Sequence, residues 1–113
     1  MTPVAAVSVE EAHALLEAGE AVLIDVREAN EFAAARIDGA VLAPLSEMPG
    51  AWEALTFPAD KTIIVQCLKG GRSGQVCAFV GPTGPDGQPV VNLTGGIQAW
   101  HAAGLPVVFA EQA

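Results

Sequence analysis

Apolar residues in this chain gather in nearly unbroken runs, with polar or glycine-rich stretches between them. "AVLIDV" (21–26) and "TIIVQC" (62–67) are the longest such runs bounded by polar residues. A strand covered on both faces reads this way, because neither face needs alternating polar positions, and the pattern points to a parallel sheet. "AVLA" (40–43) and "PVVNL" (89–93) are shorter candidates of the same kind.

Helical segments fall between these strands. "SVEEAHALLEAGE" opens with Ser8, places Glu11 three residues on and reaches Gly19. A serine and a glutamate at that spacing each satisfy a free N–H near the other, and glycine closes a helix readily, so a helix is predicted over 9–18. A short turn is expected near 29–35, a second helix around 50–55 and a third over 72–80. A fourth, "GGIQAWHAAG", ends at Gly104 before Pro106. "GPTGPDGQP" (81–89) is a surface loop that stops the third helix. This alternation describes an α/β fold with right-handed crossovers. At 113 residues, the chain reads as one domain spanning 1–113.

Composition narrows the partners. With 13 acidic residues against 5 basic ones, the formal charge is −8. That argues against nucleic acid, which needs clustered Lys and Arg, and against an anionic membrane surface. No apolar run approaches the ~18–20 residues needed to span a bilayer. "MTPVAAVSVEEAH" lacks the basic start of a signal peptide, so a soluble, cytoplasmic protein is expected. Cys67 and Cys77 have no metal-ligand spacing and are too few for a disulfide scaffold. Neither a metal nor an organic cofactor is expected, and reduced thiols are the default.

Against that acidic background, Lys69 and Arg72 fall within five residues of Cys67 in "VQCLKGGRSG" (65–74). Ligands of open α/β sheets bind beyond the carboxyl ends of strands. Cys67 and Asp25 each end a predicted strand, so both should open on one edge. Glycines after the cysteine permit positive φ, which lets successive N–H groups converge on one point. A helix starting near Arg72 or Ser73 adds its positive end. A thiol held there is favoured as thiolate, below its free value of ~8.5. Lys69 and Arg72 add charge, and Arg72 can grip an oxyanion bidentately. The alternative for the same residues is an inert buried thiol followed by a plain turn.

The other candidates carry quieter roles. Asp25 and Arg27 read as supports that pair with Arg72 or with neighbouring loops. Cys77 fits an apolar helical face with Val76, Phe79 and Val80, with a resolving thiol as the alternative. His13 and His101 read as non-catalytic, and Trp52, Trp100 and Phe79 as core.

Four segments, in order, carry a resemblance to a known family. They are "LIDVREANEF" (23–32), "ARIDGAVLAPL" (35–45), "IIVQCLKGGRSG" (63–74) and "VVNLTGGIQAWHAAGLPV" (90–107). Together the chain resembles the single-domain rhodaneses, sulfurtransferases of the rhodanese-like superfamily. The resemblance implies a five-stranded, mostly parallel sheet flanked by helices on both faces. It makes Cys67 a nucleophile that carries sulfane sulfur as a persulfide, cradled by Leu68, Lys69, Gly70, Gly71, Arg72 and Ser73. Lys69 stands where thiosulfate-using members can carry a cation, whereas Leu68 stands where others place one directly after the cysteine. Ala35-Arg36 replaces the family's usual Gly-His, and Arg36 either adds positive potential near the site or sits on the surface.

The implied reaction moves sulfur from thiosulfate or a similar donor to cyanide, a small thiol or a protein thiol. Phosphatase and arsenate-reductase relatives of this fold carry Cys-x5-Arg. Cys67 to Arg72 is Cys-x4-Arg, a smaller ring suited to a single sulfur atom. Two rival functions remain at this level: a persulfide carrier or protein-binding module with little turnover, and a redox sensor using Cys67 with Cys77.

Overall fold

The computed structural model describes residues 4–110. In chain order the strands are β1 (Ala6–Val7), β2 (Ala21–Asp25), β3 (Ala35–Arg36), β4 (Val41–Leu42), β5 (Thr62–Gln66), β6 (Val90–Leu93) and β7 (Val108–Phe109). The helices are α1 (Val9–Glu17), α2 (Ala29–Ala34), α3 (Gly50–Glu53), α4 (Gly71–Val80) and α5 (Gly96–Ala102), with a 3-10 turn at Leu45–Glu47. Five strands form one sheet in the order β1-β6-β5-β2-β4, and every neighbouring pair is parallel. β3 and β7 form a separate antiparallel pair.

The unbroken apolar runs have the cause their pattern implied. On one face of the sheet, Leu23, Ile64 and Leu93 pack with Val9 and Ala12 of α1 and with Ile97 and Trp100 of α5. On the other, Ile24, Ile63, Val65 and Val90 pack with Val76 and Cys77 of α4, and Ala51 and Trp52 of α3 lie against the same cluster. Central strands β2 and β5 run in register, Leu23 beside Ile64 and Asp25 beside Gln66. α1 begins as its sequence requires: Glu11 N–H donates to Ser8 Oγ at 3.0 Å, and Ser8 N–H donates to Glu11 Oε1 at 2.9 Å. Among the described residues, no helix is long and apolar enough to cross a membrane.

One expectation changes. Phe79 is 70 % exposed and not part of the core. The buried residues of α4 are Ser73, Val76 and Cys77, which form one stripe at helical spacing. Position 79 falls about a third of a turn off that line. Of the two pairings expected for Asp25 and Arg27, with Arg72 or with neighbouring loops, the structure shows the second: the two residues bind each other, and Arg27 reaches Ala35 O.

That pair closes the end of β2. Asp25 is fully buried and Arg27 nearly so. Arg27 Nη2 donates to Asp25 Oδ2 at 2.8 Å, Arg27 Nε to Oδ1 at 3.1 Å, and the Arg27 backbone N–H to Oδ1 at 3.0 Å. The same Nη2 reaches Ala35 O at 2.6 Å, tying the strand end to β3. Desolvation offsets most of the Coulomb gain of such a pair, but removing one partner strands the other charge at a cost of roughly 3–5 kcal/mol. Arg27→Leu is therefore expected to lower the unfolding free energy by about that amount in urea titrations. Adding Asp25→Leu should recover much of the loss. An Arg27→Leu protein as stable as the parent would contradict this reading of the pair.

Candidate active site

β5 ends at Gln66, which places Cys67 at the carboxyl edge of the sheet beside the end of β2. Cys67 is 1 % exposed. Beyond it the chain turns within three residues and enters α4 at Gly71, earlier than the predicted start near 72. Gly70 holds φ 112°, a left-handed conformation that side-chain-bearing residues rarely adopt.

Three of the loop's carbonyls are held by donors from neighbouring segments. Cys67 O accepts from Gln66 Nε2 at 3.0 Å and from Ile97 N–H at 2.9 Å. Leu68 O accepts from Gln98 N–H at 3.0 Å. Gly70 O accepts from Gly74 N–H at 3.0 Å and from Asn92 Nδ2 at 3.1 Å. In a trans peptide the N–H points opposite to the C=O, so Leu68 O, bound to α5, leaves the Lys69 N–H pointing the other way. Gly70 N–H donates to Cys67 Sγ at 3.1 Å, and Ser73 Oγ lies 3.3 Å from the same sulfur.

The start of α5 forms the wall behind this loop. A Cβ on Gly96, at φ 62°, would lie 2.5 Å from both Cys67 O and Leu68 O. Only glycine admits that approach.

Burial is the largest single influence on the Cys67 thiol and pushes it up. The Ser73 hydroxyl and the amides of Ser73, Gly70 and Lys69 together outweigh it, so the thiol lies below its ordinary value. Cys77 has burial without such donors and is pushed up to about 11. Both cysteines are free.

Arg72 directs its guanidinium fork to α2. Its two terminal nitrogens bind Glu31 of α2 at 2.7 and 2.9 Å, a bidentate pair. The guanidinium bonds are the main reason that the Glu31 carboxyl is held down at about 2, against burial and with help from the Glu28 N–H. Lys69 is exposed and makes no ion pair among the described residues. Leu68, 40 % exposed, flanks the sulfur at the loop surface. Arg36, in β3, lies over the Phe32 ring of α2 at 5.4 Å.

Three residues that support the site escaped notice in the sequence: Glu31, Asn92 and Gln66. Gln66 and Asn92 interrupt otherwise apolar strands, and that interruption was the available signal. For Glu31 the signal was its place in "LIDVREANEF", one of the segments that carry the resemblance.

A family model described as a rhodanese-like domain matches residues 8–103. A sulfurtransferase of Allochromatium vinosum is 34 % identical over 97 residues, covering 86 % of this chain and 87 % of that protein. Thiosulfate sulfurtransferase GlpE of Actinobacillus succinogenes is 34 % identical over 98 residues, covering 87 % of this chain and 85 % of that protein. Among solved structures, a rhodanese-related protein from Thermoplasma volcanium superposes with a TM-score of 0.77 at 29 % identity, covering 92 % of this chain and 97 % of the other.

The Glu31–Arg72 pair sets a pH window. A carboxyl lowered from 4.5 to about 2 on folding contributes stability that is complete above pH 4.5 and lost as the pH falls to about 2. The stability difference between the parent and Glu31→Gln should stay constant above that window and vanish at its lower end. A difference that persists undiminished at the lower end, or never exists, would contradict the pairing.

Proposed function

The chain belongs to the rhodanese-like domain family, and on that premise we propose that it transfers sulfane sulfur from a small anionic donor such as thiosulfate, through a Cys67 persulfide, to cyanide or a thiol. The observation that carries this reading is the convergence of Gly70 N–H and the Ser73 hydroxyl on a single buried sulfur. Donors so placed favour the thiolate, the form of cysteine that attacks.

In the first half-reaction the Cys67 thiolate attacks the outer sulfur of thiosulfate. A Cys67 S–S bond forms, the donor S–S bond breaks, and sulfite leaves with the electron pair. The persulfide's terminal charge then lies among the same donors, which stabilise it as they did the thiolate. In the second half-reaction an acceptor thiolate or cyanide attacks the outer sulfur, and Cys67 leaves as thiolate. No step needs a general base, so Asp25, committed to Arg27, is a support and not an acid or base.

With its fork on Glu31, Arg72 joins α4 to α2 beside the loop. Lys69 is the exposed cation on the loop and attracts an anionic donor to an otherwise acidic molecule. The rise of the Cys77 thiol to about 11 weighs against a Cys67/Cys77 redox pair. Two free thiols suit a reducing compartment such as the cytoplasm.

Intact-mass measurement after incubation with thiosulfate tests the proposal. The parent protein is expected to gain one sulfur atom and to lose it on addition of cyanide or a small thiol. Cys67→Ser should gain none, while Cys77→Ser should behave as the parent. Sulfur loading on a Cys67→Ser protein would overturn the assignment. A parent that loads sulfur but does not turn over thiosulfate would be a carrier.

A further inference from the structure

We propose that Asn92 is a positioning residue for Cys67: it holds the Ser73 hydroxyl proton away from the neutral sulfur and yields that proton when the sulfur becomes charged. Asn92 lies in β6, beside Val65 in the sheet and Ala6 on its other side. Its side chain leaves the sheet edge toward the first turn of α4, where Nδ2 donates to Gly70 O at 3.1 Å. A carbonyl can only accept, so the amide presents its NH2 there, which fixes its orientation and turns Oδ1 toward Ser73. Ser73 Oγ lies 2.5 Å from that oxygen.

One hydroxyl carries one proton, and here three acceptors surround it. Asn92 Oδ1 stands at 2.5 Å, Gly70 O at 3.3 Å and Cys67 Sγ at 3.3 Å. While the sulfur is a neutral thiol, the shortest contact takes the proton, and an Oγ lone pair is left to accept from S–H. Once the sulfur is a thiolate, a charge-assisted bond from Ser73 competes with the amide oxygen. Asn92 therefore weights the balance toward the thiol through Ser73, although it touches no sulfur itself.

The charges around the sulfur do not carry this effect. Arg72 is bound to Glu31, and Asp25 to Arg27. Lys69 projects from the loop without an ion-pair partner among the described residues. The hydrogen bonds of these side chains bypass Ser73 and Asn92, so substitutions at the latter two leave them in place.

The proposal rests on the reading of Cys67 as a reactive nucleophile, but its test needs no sulfur donor. The pH dependence of Cys67 alkylation by iodoacetamide, followed by peptide mass, is compared in four proteins: the parent, Asn92→Ala, Ser73→Ala and the double variant. With Ser73 present, removing the competing acceptor should move the alkylation midpoint to lower pH than the same substitution does in Ser73→Ala. The expected gap between the two shifts is about half a pH unit, roughly threefold in thiolate fraction below the midpoint. Equal shifts in the two backgrounds would overturn the proposal, since Asn92 would then act by structure alone.

If Asn92→Ala fails to fold, Asn92→Asp supplies the same cycle with opposite sign. A carboxylate holds the hydroxyl proton more strongly, so the midpoint should rise more with Ser73 present than without it, and equal rises would again overturn it. Equal shifts alongside normal sulfur loading refute this proposal alone. A lost ability to load sulfur alongside an intact gap refutes the sulfur-transfer reading alone.

Discussion

The carbonyls of Cys67, Leu68 and Gly70 are each held by donors from neighbouring elements, and the shape of the loop around the sulfur depends on those bonds. Gln66 and Ile97 hold the first, Gln98 the second, Gly74 and Asn92 the third. Opposite Leu68 O lies the Lys69 N–H, one of the donors that lower the Cys67 thiol, and the next amide, Gly70 N–H, bonds the sulfur itself. The constraint reaches well beyond the loop. It requires the N-terminus of α5 to approach so closely that residue 96 has no room for a Cβ. It requires β5 and β6 to be neighbours, so that Asn92 meets the start of α4. The parallel order of the sheet supplies both.

The donors that hold the Cys67 thiol down are the Ser73 hydroxyl first and then the amides of Ser73, Gly70 and Lys69. Each of the two nearby arginines has a carboxylate partner. Arg27 neutralises Asp25 where β2 ends and anchors Ala35; Arg72 bridges α4 to α2 through Glu31. These pairs shape the rim of the site. Backbone amides are fixed by the fold and need no reorganisation when charge moves from thiolate to persulfide, which is what a sulfur carrier requires.

Much of this was legible in the sequence where causes are local. The runs at 21–26 and 62–67 read as doubly covered strands because the helices on both faces demand apolar residues at every position. A cysteine, two glycines and a serine within seven residues announced the loop for the same reason. What was hidden depends on distant partners. Glu31 meets Arg72 across 41 positions, and Asn92 meets Ser73 across 19. No spacing rule links such pairs. β1, β3 and β7, two residues each, are too short to show any periodicity. Phe79 misled because apolar character alone does not say which side of a helix faces the core.

The pH dependence of alkylation of the two cysteines in the unaltered protein, each followed separately, tests the donors at Cys67 most directly. Burial acts on both thiols, but only Cys67 has donors to counter it. Cys67 is expected to titrate below a free cysteine, and Cys77 to resist alkylation until the pH approaches about 11. A Cys67 midpoint at or above that of a free cysteine would mean that burial prevails at the sulfur over the Ser73 hydroxyl and the loop's amides.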